Sequence, residues 1–133
     1  MCRCIPLSYD LLRRRALSFL ADAKVDFERG DYDLVLFHVE QFIQLYSKYL
    51  LYRKIGDYPK SHLIVRLLRD LAKVYGDGGL SEFIEANLEA LYLLEEAYIS
   101  SRYLPREYDA EIASRVLKLG ERMLEVFRCL DSR

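Results

Sequence analysis

From Tyr32 to Ile55 the chain reads YDLVLFHVEQFIQLYSKYLLYRKI, with no Gly or Pro. On a helix at about 100° per residue, Tyr32, Leu36, Val39, Ile43, Tyr46 and Leu50 form a stripe at alternating steps of four and three. Val35, Phe42 and Tyr49 widen it on one flank, and Leu34, Leu45 and Tyr52 widen it further. The apolar arc becomes roughly 200° wide, which predicts a helix surrounded by other helices. The polar remainder is a strip of Glu40, Gln41, Gln44, Ser47 and Lys48. Phe37, Leu51 and Ile55 interrupt that strip and predict a second buried contact, as against another subunit.

The other periodic blocks read as helices too. Helix one is expected from Ser8 to Arg29, capped by Ser8 or Asp10 and stopped by Gly30, with Leu12, Ala16, Phe19, Ala23 and Phe27 inward. Arg13, Arg14 and Arg15 reach most of the way round it and read as a solvated face. Gly30-Asp31 is too short for anything but an antiparallel return. Helix three is expected over Ser61–Tyr75 with Ser61 as its N-cap. Helix four is expected to start at Ser81, also as cap, and to break at Ser100-Ser101-Arg102-Tyr103-Leu104-Pro105. Helix five is expected from Asp109 to Leu130. No stretch alternates with period two, so no strand is predicted. The expected fold is all-α, one domain over residues 1–133: an antiparallel up-down bundle of four long helices plus one shorter helix, helix three.

Composition narrows the function classes. Net charge is −1, from 20 basic and 21 acidic residues, which excludes a protein held to nucleic acid by bulk charge. No run approaches the ~18 uncharged apolar residues of a membrane span, and no apolar segment marks a signal peptide. A cytoplasmic location is the expectation. Eleven Tyr and no Trp favour rings that bury a face while the hydroxyl stays wet. Cys2, Cys4 and Cys129 are an odd number, poorly spaced for zinc, and read as free thiols.

Few residues carry obvious chemistry. His38 falls at the edge of helix two's inner stripe and reads as a hydrogen-bonded core-edge histidine. His62 follows Ser61 and is expected to bond the preceding loop. Glu82, Glu85, Glu89 and Glu96 have the spacing of a solvated face. Gly76-Asp77-Gly78-Gly79 lacks the Lys-Ser/Thr of a phosphate loop. No nucleophile–base pair and no metal site is predicted, and no cofactor is expected. The stretch Ser101-Arg102-Tyr103-Leu104-Pro105-Arg106-Glu107-Tyr108 stands apart, with two Arg, two Tyr and a Pro between helices. Arg can fork onto phosphate and Tyr can stack on a base. The alternative is a Pro-terminated helix end whose Arg caps carbonyls.

Several pieces, in order, resemble the HEPN family of small helical domains. Gly30-Asp31-Tyr32-Asp33 is similar to the family's turn into its second helix. Gln41-x-x-Gln44-x-x-x-Lys48-Tyr49-Leu50 is similar to its Gln, Glu and Lys pattern. Ser61-His62-Leu63 is similar to its Thr-His-Asp-Leu start of helix three, and Ser101-Arg102-Tyr103 to its Ser-Arg-Tyr-Pro. Gln44 stands where Glu is common, and Leu104 separates Tyr103 from Pro105. The resemblance implies a homodimer that binds nucleotide or RNA, often as partner of a small nucleotidyltransferase. Arg102, Tyr103 and Tyr108 are its expected binding residues, with Lys48 and His62 as weaker ones. The family's ribonuclease branch carries an Arg and a His separated by four to six intervening residues. Counted from Arg102, those positions hold Glu107, Tyr108 and Asp109, so a catalytic site is not expected. The alternatives are a metal-independent ribonuclease toxin with a degenerate site, using Tyr108 or Glu107 as base, and an adaptor that binds only protein.

Overall fold

The computed structural model describes the backbone of residues 7–103 and 107–133 and the side chains of residues 10–100 and 107–133. The described residues form α1 (Leu7–Arg29), α2 (Tyr32–Ile55), α3 (Ile64–Tyr75), α4 (Gly78–Ala86), α5 (Leu88–Tyr103) and α6 (Ala110–Asp131), and they contain no strand. The fold is all-helical, as the periodicity predicts. The Cys2 and Cys4 readings lie outside the described residues, and Cys129 is an exposed free thiol.

α2 is the central element and packs against α1, α3, α5 and α6. Arg13 lies over the Tyr49 ring and Asp26 bonds His38, so α1 runs antiparallel to α2. Tyr98 stacks on Phe37 while Glu95 acts on the Glu40 carboxyl, so α5 runs antiparallel to α2 as well. α6 runs parallel to it: Gly120 faces Val39, Phe127 packs on Phe42 and Tyr46, and Asp131 reaches Tyr49. A Cβ at Gly120 would come within 3.1 Å of Leu20 and 3.2 Å of Val39, so the missing side chain lets α6 approach α1 and α2 closely.

The helix boundaries depart from expectation in three places, each for a local reason. Expected helix four is two helices. Asp77, not Ser81, caps the first, with Oδ1 accepting from the Leu80 N–H at 2.8 Å. Asn87 then interrupts it: its amide donates to the Phe83 carbonyl at 2.8 Å, and its backbone leaves the helical region. α5 also continues through Ser101, Arg102 and Tyr103, where a break was expected. The third departure is α3, which starts at Ile64. Ser61 makes a tighter local turn instead, its Oγ accepting from the Leu63 N–H at 3.0 Å.

One reading of α2 is corrected. Leu51 is buried inside the chain, and Phe37 is partly covered by Tyr98, so of the three proposed partner-facing residues only Ile55 is well exposed. The polar strip lies inside the bundle: Glu40, Gln44, Ser47 and Lys48 are all buried. His38 does sit as expected, its Nδ1 2.5 Å from the buried Asp26 carboxylate and its ring stacked on Phe19.

One carboxylate ties three helices together at the far end of α2. Asp131 accepts hydrogen bonds from Arg13 at 3.1 Å, Tyr46 at 3.1 Å and Tyr49 at 3.2 Å, and it pairs with Arg53. Replacing it leaves the buried Tyr46 hydroxyl without its acceptor and takes a carboxylate from Arg13, which keeps Asp10, and from Arg53, which keeps the main-chain carbonyl of residue 131. Asp131→Ala should therefore lose about 2–3 kcal/mol of stability, read as a lowered urea midpoint at unchanged slope. A midpoint within error of wild type would show that the cluster contributes nothing net.

Candidate functional site

The buried polar strip of α2 is a connected chain of hydrogen bonds. Helical spacing sets it up: Glu40, Gln44 and Lys48 follow at i, i+4 and i+8, so each lies one turn above the last. Gln44 Nε2 donates to Glu40 Oε2 at 2.9 Å, and Gln41 Nε2 donates to Glu40 Oε1 at 2.8 Å. Lys48 Nζ donates to Gln44 Oε1 at 3.2 Å. His62 Nδ1 lies 3.1 Å from that same oxygen. His62 thus bonds α2, not the preceding loop as expected.

Burial sets the electrostatics. Glu40 has no exposed surface, and its carboxyl is pushed up to about 7, chiefly by desolvation and further by the Glu95 carboxylate. The hydrogen bonds from Gln41 and Gln44 and the Lys48 charge oppose that rise. Burial holds the Lys48 ammonium below its ordinary value, and Glu40 partly restores it. The Tyr58 ring covers Lys48, its centroid 5.6 Å from Nζ. Lys48 is therefore a charge held beneath the surface, and the chain of bonds reaches solvent at His62.

α5 closes one side. The Tyr98 ring lies 5.9 Å from the His62 ring, and Glu95 Oε2 accepts from the Val65 N–H at 2.9 Å at the start of α3. Leu63, just before α3, and Tyr92 and Ile99 on α5 are exposed apolar side chains. The backbone positions of Arg102 and Tyr103 occupy the last turn of α5, one turn beyond Tyr98. Their side chains, and residues 104–106, lie outside the described residues.

The structure thus brings together Gln44, Lys48 and His62, from motif pieces 14 to 18 residues apart. The family comparison matches the HEPN domain over residues 9–130, nearly the whole chain. The chain belongs to the HEPN family. No curated protein matches it in sequence.

Within this HEPN domain Tyr108 stands apart from the polar chain. Its ring is half-buried against the core and lines a separate cleft with Leu93, Glu107, Asp109 and Ile112. Sequence reading missed Glu40, Glu95 and Tyr98. Glu40 was accessible in principle: it is the one acidic residue between Leu34 and Ile55 and shares a helix edge with Gln44 and Lys48. Among the described residues no group of three or more His, Cys, Asp or Glu could hold a metal ion, and no helix is long and apolar enough to cross a membrane.

The raised Glu40 carboxyl makes stability depend on pH with a definite sign. Its folded value lies above the ordinary 4.5, so the native state keeps the proton longer than the unfolded chain does. That contribution is complete below about pH 4.5 and is lost as pH rises through about 7. Relative to Glu40→Gln, which has no proton to lose, wild type should fall in stability by about 3 kcal/mol from pH 4.5 to pH 7.5. Urea titrations of both proteins across that range check it, and a constant difference would contradict it.

Proposed function

We propose that this HEPN domain is a non-catalytic nucleotide- or RNA-binding module that works as a homodimer and partners a small nucleotidyltransferase. The observation that carries the reading is the meeting of Gln44, Lys48 and His62 beside the end of α5 that holds Arg102 and Tyr103. Arg102 is the phosphate contact, and Tyr103 supplies a ring for stacking or a hydroxyl for hydrogen bonding. Tyr108 has a secondary role, since its ring is half-buried. Lys48 acts from beneath Tyr58 as a buried positive charge, and His62 offers a polar edge at the surface. The exposed Leu63 and Ile99, next in sequence to His62 and Tyr98, support a subunit contact there. The non-catalytic reading rests on Glu107, Tyr108 and Asp109 standing where the ribonuclease branch carries His. A cytoplasmic location goes with this reading.

The test is an electrophoretic assay of labelled single-stranded RNA in excess EDTA. Wild type should shift the RNA without cleaving it, and Arg102→Ala should weaken binding about tenfold, the loss of one charge-assisted contact. Cleavage by wild type that Arg102→Ala abolishes would establish the ribonuclease alternative. Absence of both shift and cleavage would favour a free nucleotide as ligand or the protein-binding adaptor. Light scattering at micromolar concentration should give the mass of a dimer, and a monomer would remove the subunit contact.

A further inference from the structure

α5 and α6 both pack on α2 but scarcely against each other among the described residues. The gap between them is a groove of about 470 Å³. Its floor is apolar, with Ala90 and Leu93 from α5 and Ile112, Val116 and Leu119 from α6. The three α6 residues follow at steps of four and three, the spacing of a helix seam. Val116 and Leu119 are buried, while Ala90, Leu93 and Ile112 are half-buried. The rim is charged unequally. Arg115, Lys118 and Arg122 line the α6 side at steps of three and four, and of the described residues Glu89 alone lines the α5 side with a charge. Three cations thus stand against one carboxylate, in a chain whose net charge is −1. Arg115 pairs with Glu111 on its own helix at 2.7 Å, an exposed pair that a partner displaces readily. Arg122 is held in place: it donates to Asn87 Oδ1 at 2.9 Å and lies over the Phe83 ring.

An occupant must cover this floor without stranding its own backbone. The floor side chains carry no hydrogen-bonding group, so an extended segment would leave amides unpaired, whereas a helix pairs its own. On α6 the lining runs from Ile112 to Arg122, about 15 Å or three helical turns. Beyond Ile112 the trough continues into the cleft at Tyr108, where Glu107 and Asp109 make the rim acidic. The positive N-terminus of a docked helix suits that end, and its carboxylates suit the other. The subunit contact at Leu63 and Ile99 leaves the groove open. Ile99 shares a flank of α5 with Glu95, which bonds the start of α3, on the side away from Ala90 and Leu93. We infer that the α5–α6 groove docks an acidic amphipathic helix of a partner protein, with apolar residues on Leu93, Ile112 and Leu119 and carboxylates on Arg115, Lys118 and Arg122. This goes beyond the nucleotide- or RNA-binding reading and does not use that site.

Two fluorescein-labelled helical peptides of about 14 residues serve as probes. Both carry a leucine stripe at alternating steps of three and four, flanked by glutamates in one and by lysines in the other. Fluorescence anisotropy with the full chain should show the glutamate peptide binding about tenfold more tightly than the lysine peptide. The double variant Arg115→Glu with Lys118→Glu, at two exposed positions, should reverse that order, which a loss of folding would not do. Leu93→Gln should weaken both peptides. Binding of neither peptide at about 0.1 mM, or equal binding of both, would overturn the inference. A fall from dimer to monomer mass in the double variant would overturn it too, by placing a second copy in the groove. So would a loss of single-stranded RNA binding in the double variant as large as in Arg102→Ala, which would give these cations to nucleic acid. Failure of wild type to bind RNA, with the peptide order intact, would remove the RNA-binding reading and leave the groove assignment standing.

Discussion

α2 is buried over most of its length, and it still carries a carboxylate, an amide and an ammonium on one edge. Water cannot serve these groups as it would on a surface helix, so they must serve one another. The i, i+4 repeat makes that feasible within a single helix: Glu40 accepts, Gln44 donates below and accepts above, and Lys48 donates. Every partner on this edge constrains the next. Removing one member strands a buried polar group, whereas a surface pair of the same residues would contribute a few tenths of a kcal/mol.

That constraint connects the fold to the candidate site. The helices that exclude water from Glu40 also determine where the polar chain emerges, and it emerges at His62 in the segment before α3. Glu95 bonds the backbone at the start of α3, and Tyr98 packs by the His62 ring, so α5 holds this segment while carrying Arg102 and Tyr103 on its last turn. Toward the C-terminal end of α2, Asp131 gathers Arg13, Tyr46, Tyr49 and Arg53, and fixes α1 and α6 on the central helix. α2 is thus both the core of the HEPN domain and the support of the candidate site.

The fold was largely legible in the sequence because burial follows the 3.6-residue repeat, and long blocks between Gly30, Gly56 and Gly76 have unambiguous ends. The errors came where a side chain bonds the backbone. Asn87 interrupts what periodicity reads as one helix, and Asp77 outcompetes Ser81 as a cap because Gly78 and Gly79 let the helix begin earlier. The site was only half legible. Lys48 and His62 could be named from motif pieces, but nothing local tells that Glu40 and Gln44 are buried. Polar residues on one edge read as solvated until the positions of α3 and α5 are known. Leu51 shows the same failure in reverse, an apolar residue on that edge assigned to a partner when α2's own neighbours cover it.

The most direct test of the account is to map where single-stranded RNA touches the domain, by following backbone and side-chain NMR signals during titration. Shifts concentrated at His62, the Gln44 side-chain amide, Tyr98 and the residues around Arg102 are predicted, with the Arg13–Asp131–Arg53 cluster unmoved. Shifts confined to that cluster, or to the cleft at Tyr108, would place binding elsewhere and contradict the assignment of the α2 polar chain to function.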